Sequence, residues 1–193
     1  MAKVVTGKVR LVYLSLKEKS APPNSDRQRY NVCMLIDTED KYTMGKLEEA
    51  YSNCAAEGKK SCKGWKGKIP REVKNFEDSL RDLYDDGDGP DWAEGYLALS
   101  PKTDYYVAVI DRNKKIVDYD DCYNGMYARV SLSPYYYSHD SGGKGIAWNL
   151  NSIQKLTGGE LIEMQHTPGA DFDNEEDDYE YDEDDTIYED NLI

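Results

Sequence analysis

The chain has 193 residues, with 38 acidic against 24 basic side chains, 17 tyrosines against 2 phenylalanines, and 4 cysteines. That length suits one domain with a real core and excludes two large ones, and the absence of an apolar leader or of 18 consecutive apolar residues predicts a soluble, cytoplasmic protein without a membrane span. The formal charge of −14 argues at first sight against a nucleic-acid ligand, yet 13 Asp or Glu and no Lys or Arg fall between Asp171 and Ile193, so residues 1–170 carry only −1.

From Lys3 to Leu16 the residues alternate and are rich in Val and Leu, which predicts a long strand bent at Gly7. A loop over Ser20–Asp26 leads to a second strand over Tyr30–Ile36, and the two read as a hairpin. Thr38 and Lys41–Glu57 follow. Met44, Leu47, Ala50, Tyr51, Cys54 and Ala55 recur there at spacings of three and four, which fits one amphipathic helix ended by Gly58. The next stretch packs Lys59, Lys60, Lys63, Lys66, Lys68, Arg71 and Lys74 around Trp65, between Gly64, Gly67 and Pro70, and reads as a basic loop. An acidic loop over Asp82–Asp91 comes next, then strands over Gly95–Ser100, Tyr105–Asp111, Tyr123–Tyr137 and Gly145–Leu150, the last reached through a turn at Gly142-Gly143. Five or six strands with one helix and no βαβ alternation predict a mainly β fold, a small antiparallel barrel. The expected division is a body over 1–165 and a disordered acidic tail over 166–193, because a block of like charge with few apolar residues cannot offset its ordering entropy.

The segment Tyr127–Tyr137 carries the most chemical information. Alternation puts Ala128, Val130 and Leu132 on one face and Tyr127, Arg129, Ser131, Ser133, Tyr135 and Tyr137 on the other. Rings beside cations are what sequence-tolerant binding of single strands uses, although tyrosine also lines the polar faces of many sheets. Pro134 removes a ladder donor, so this strand should be an edge, bulged or broken there. Trp148 shares its face with Ile146 and Leu150 and is assigned to the core. The cysteines form no CxxC pair, His139 and His166 lack any nucleophile motif beside them, and no GxxxxGK[ST] string occurs. The sequence calls for no enzyme, no metal and no cofactor.

Three strings carry a resemblance: Cys122-Tyr123-Asn124-Gly125-Met126-Tyr127-Ala128-Arg129-Val130-Ser131, then Gly143-Lys144-Gly145-Ile146-Ala147, then Asn149-Leu150-Asn151-Ser152-Ile153-Gln154-Lys155-Leu156. Together with Lys3–Arg10 and the Gly64–Pro70 loop, they make the chain resemble a family of tailed-phage single-stranded DNA-binding proteins. That resemblance implies an OB fold with an acidic C-terminus, and single-stranded DNA as partner in replication and recombination. Phosphates would be met by Lys8, Arg10, Lys66, Lys68, Arg71, Arg129 and Lys144, and bases by Trp65, Tyr127, Tyr135 and Tyr137. The tail would compete with DNA for the basic surface and, through Tyr188, Leu192 and Ile193, recruit a phage polymerase or helicase. Two rivals stand beside this reading. One is an acidic decoy that sequesters a DNA-binding enzyme, which leaves the Lys59–Lys74 cluster unexplained; the other is a metal-dependent nuclease resting on Asp118, Asp120 and Asp121.

Overall fold

The computed structural model describes residues 3–21, 26–61, 75–84, 89–139 and 143–164, without the side chains of residues 59–61, 138, 139, 143 and 144. The chain divides into two units, Met1–Glu163 and Met164–Ile193, and all the described helices and strands belong to the first. The basic loop around Trp65 and the acidic tail lie outside the described residues.

The first strand is interrupted where glycine predicted a bend. β1 (Val4–Val5) and β2 (Val9–Ser20) flank Gly7, whose N–H donates to Thr43 Oγ1 at 2.9 Å. A Cβ on Gly7 would lie 2.7 Å from that oxygen, so only glycine lets the helix start come so close. β3 (Arg29–Asp37) returns antiparallel to β2 and completes the expected hairpin. Asp40 then caps α1 (Lys41–Ser61) by accepting the Thr43 N–H at 3.0 Å. The helix buries Leu47 and Tyr51 and packs mainly on β8 (Tyr127–His139). Contrary to expectation, Gly58 does not end this helix. It is buried inside it, and a Cβ there would come within 2.7 Å of the Tyr136 ring. Glycine here serves close packing, which overrides its poor helix propensity.

The remaining strands are β4 (Arg81–Asp82), β5 (Tyr96–Leu99), β6 (Lys102–Thr103), β7 (Ala108–Ile110) and β9 (Gly143–Lys155). The strand expected over 105–111 starts only at Ala108, because Tyr105 and Tyr106 stand outside the ladder and are exposed. Another difference is at Tyr123–Tyr137, which pairs only from Tyr127, after a turn in which Gly125 takes φ +98°. The last strand runs well past its expected end, to Lys155.

Five of these strands close a ring in the order β2, β3, β6, β9, β8 and back to β2. Four of the pairings are antiparallel and β6–β9 is parallel. The antiparallel barrel of five or six strands expected from the sequence has five, and because directions that alternate around an odd ring must clash at one seam, one of its pairings is parallel. The pattern is that of an OB-type barrel. β7 adds a second parallel pairing outside the ring, also to β9. Leu11, Met34, Val130, Leu150 and Ile153 converge inside it, and Trp148 joins this core as expected.

Pro134 is accommodated as an edge beside a bulge. β1 reaches along β8 only as far as Leu132, so the missing N–H falls beyond its last partner on that side. On the other side the ladder continues through Pro134–Trp148, after a register shift that leaves Asn151 as an extra residue of β9.

Two glycines of α1 should respond oppositely to the same change. Gly45 is exposed with nothing within 4 Å of a Cβ, so Gly45→Ala should stabilise the fold by about 0.5–1 kcal/mol. Gly58→Ala should destabilise it by ~1–3 kcal/mol through overpacking against Tyr136. Urea unfolding of both variants measures the two signs.

Candidate functional site

Closing the barrel lines up one residue from each ring strand on its outer surface. Ser15 is opposite Asn31, Asn31 opposite Lys102, Lys102 opposite Asn149, and Asn149 opposite Ser133. The neighbouring register position, Tyr30 with Thr103, points inward and is buried. Since side chains alternate along a strand, the polar row faces away from the core, with Ser133 itself buried. Hydrogen bonds stiffen it: Asn149 Nδ2 donates to Asn151 Oδ1 at 3.0 Å, Asn151 Nδ2 to Ser133 Oγ at 2.9 Å, and Asn31 Nδ2 to Ser20 Oγ at 2.8 Å. The Asn151 bulge thus brings two amides, rather than one, to the middle of the row.

All of this row except Ser15 lines an open groove of about 1490 Å³. Arg27, Arg29, Arg81 and Lys102 supply its cations, and Asp104 is the one carboxylate among its described lining residues. Asp104 lies 2.7 Å from Arg27 Nη2 and 3.4 Å from Arg29 Nε, the second a charge contact without hydrogen-bond geometry. Arg81 Nη2 donates to Ser100 Oγ at 2.6 Å. Four positive charges against one negative leave the groove cationic on a body that is nearly neutral. Tyr13, Tyr135, Tyr136 and Tyr137 contribute aromatic surface. A Cβ on Gly145 would lie 2.8 Å from Tyr137 Oη, so this glycine makes room for the ring across β9. Burial pushes the Cys33 thiol up despite the opposing influence of Ser100 and Arg81.

The residues singled out from sequence distribute over more than this groove. Tyr135 and Tyr137 line it. Lys144 is in β9 opposite Ser138, and its side chain is outside what is described. Lys8, Tyr127 and Arg129 gather at the other end of β8, with Lys8 Nζ 4.6 Å from the centre of the Tyr127 ring and Arg129 Nε donating to Thr6 O at 3.2 Å. Arg10 is engaged by the backbone, donating from Nε to Gly125 O at 3.2 Å and from Nη2 to Glu160 O at 3.1 Å. Trp65, Lys66, Lys68, Arg71, Tyr188, Leu192 and Ile193 fall outside the described residues. Asp118, Asp120 and Asp121, the set behind the nuclease reading, sit on a short 3₁₀ turn where Asp118 caps the Asp120 N–H and Asp120 pairs with Lys17 at 2.8 Å.

Sequence reasoning missed Arg27, Arg29, Asn31, Arg81, Lys102, Asn149 and Asn151. Arg29 and Asn31 were within its reach, because they alternate with the apolar Tyr30, Val32 and Met34. Lys102 was not, since its strand has two residues and no periodicity to read.

Residues 2–185 match the family model described as Enterobacter phage Enc34, ssDNA-binding protein. Among solved structures, the chain is similar to the single-stranded DNA-binding protein from bacteriophage Enc34 in complex with ssDNA, with a TM-score of 0.65, 18% identity, and coverage of 83% of this chain and 89% of that one. It is also similar to gp2.5, a single-stranded DNA-binding protein encoded by bacteriophage T7, with a TM-score of 0.57, 15% identity, and coverage of 91% and 99%. No curated protein sequence matches it.

The Arg10 contacts predict a structural role that can be measured without any ligand. Arg10→Ala should lower unfolding stability by about 1–2 kcal/mol, because hydrogen bonds from a charged fork to two carbonyls are lost. Arg10→Lys should restore less than half of it, since an ammonium cannot reproduce the fork.

Proposed function

The chain belongs to the phage single-stranded DNA-binding protein family represented by that of Enterobacter phage Enc34, and on this premise we propose that the groove binds single-stranded DNA without strong sequence preference. The observation that carries the reading is the polar row Asn31–Lys102–Asn149–Ser133 across a closed OB-type barrel, flanked by tyrosines and arginines. OB barrels take oligonucleotides on this part of their surface. The family's function is binding, not catalysis.

In this reading Lys102, Arg27, Arg29 and Arg81 neutralise phosphates, while Tyr135 and Tyr137 offer faces to bases. Every base has a π-face, so stacking tolerates sequence. The amides of Asn31, Asn149 and Asn151 both donate and accept, and so suit the edge of any base. Lys8, Arg10, Tyr127 and Arg129, together with Lys144 on β9 and, beyond the described residues, Trp65, Lys66, Lys68 and Arg71, are proposed as additional contacts along the strand's path. A cationic groove favours this reading over an acidic decoy.

The proposal extends to the body over 1–165 and the tail over 166–193. Thirteen acids tethered to a cationic groove act at an effective concentration on the order of mM, so the tail competes with DNA and is released when DNA binds. Tyr188, Leu192 and Ile193, apolar among acids, then suit docking to a replication partner such as a phage polymerase or helicase. The setting is phage DNA replication and recombination in the host cytoplasm.

Fluorescence anisotropy of labelled oligo-dT across a salt series tests the central claim. Binding should weaken steeply with salt and resist duplex competitor, and Lys102→Ala should weaken it with a salt slope reduced by about one. Undetectable binding by both the full chain and a chain lacking Asp171–Ile193 would overturn the proposal. For the tail, deletion of Asp171–Ile193 should tighten binding at low salt and matter less at high salt; equal affinities at low salt would remove self-masking.

A further inference from the structure

Tyr13 holds a backbone conformation that its side chain disfavours. Its φ is +50°, in the middle of β2, where the register with β3 shifts between Val12–Cys33 and Ser15–Asn31. Two residues, Tyr13 and Leu14, stand there against Val32 alone. Bulges of this kind ordinarily place glycine at the left-handed position, and a bulky aromatic there is strained. Lys114, the other described non-glycine residue at positive φ, sits in a tight turn within Asp111–Lys115, where such a conformation is ordinary. Tyr13 has no such local reason.

The bulge does accomplish something. It turns the Tyr13 ring to the groove, where the residue stays 52% exposed. Trp92, on the 3₁₀ turn Asp91–Ala93, meets it edge-on, with ring centroids 6.1 Å apart and planes at 66°. A T-shaped contact positions a ring without covering both of its faces. Tyr13 also belongs to β2, the strand at the opposite end of the polar row from β8, which carries Tyr135 and Tyr137.

We infer that Tyr13, braced by Trp92, is a second base-stacking subsite at the β2 end of the row, and that β2 keeps the strained residue for this contact. The inference rests on the groove binding single-stranded DNA. It adds a direction to that reading: the strand crosses the barrel strands, from the tyrosines of β8 over Lys102 to the ring of Tyr13. The ligand recognised at this end is an unpaired nucleobase.

The test uses the full chain, with Tyr13→Asn and Tyr13→Phe variants. Asn tolerates the left-handed region, so Tyr13→Asn removes the ring without adding strain, and Tyr13→Phe retains it. Tyr13→Asn should weaken oligo-dT binding by about 5- to 100-fold, as loss of one base–aromatic stack does, while its Tm stays within about 3 °C of wild type. Tyr13→Phe should bind within about threefold of wild type. On an abasic oligonucleotide of the same length, wild type and Tyr13→Asn should bind alike, because no base is left to stack. Unchanged oligo-dT affinity, an equal loss on the abasic strand, or a Tm lowered in step with affinity would each overturn the subsite and make Tyr13 a structural residue. If wild type binds and Lys102→Ala weakens it while Tyr13→Asn does not, only this subsite falls; if wild type does not bind, the groove reading falls with it.

Discussion

A ring of five strands cannot alternate direction all the way round, and the architecture of this protein follows from where that conflict is placed. It is placed between β6 and β9, at the single register pair Lys102–Asn149. Parallel strands cannot be joined by a tight turn, so β9 reaches this seam only after the chain has run out through β7 and back along β8. The seam closes the barrel and removes two sheet edges that would otherwise invite pairing with other chains. It also completes the polar row, because without the β6–β9 pair Lys102 and Asn149 would belong to opposite margins of an open sheet.

Bulges then shape what closure brings together. On β9 the extra residue Asn151 bonds to Asn149 and Ser133, concentrating amides at the centre of the groove. On β2 the bulge at Tyr13 turns an aromatic ring to the same surface. Both lie on strands whose inward faces are packed, so a one-residue change of register re-aims polar or aromatic side chains while Leu11, Leu150 and Ile153 stay inside. The ladder of β8 and β9 past Leu132 depends in turn on α1: Tyr136 of this arm packs against Gly58, and no other residue leaves room for that ring. Glycine is a poor helix former, and α1 keeps one at position 58 because the groove wall leans on it.

Much of this was legible from the chain alone. Alternation located β2, β3, β5 and β9 and the inward face of β8, and spacing of three and four located α1. The family strings were legible too, and the structure gives the last of them a physical meaning. Leu150 and Ile153 are core, Asn149 and Asn151 line the groove, Gln154 Nε2 donates to Asp111 O at 3.3 Å, and the Leu156 N–H donates to Tyr127 O at 2.8 Å. Gly58 was misread as a helix end, since a sequence does not distinguish a glycine that stops a helix from one that admits a neighbouring ring.

Composition and periodicity, which are local properties, determined the mainly β class, the single helix, the inward-facing residues and the split of charge between body and tail. Tertiary structure alone decided the parallel seam, the gathering of Arg27, Arg29, Arg81 and Lys102 from three separate stretches of chain, and the strained backbone of Tyr13. Those depend on which strands become neighbours and in what register, and a two-residue strand such as Lys102–Thr103 carries no periodic signal from which its partners could be read.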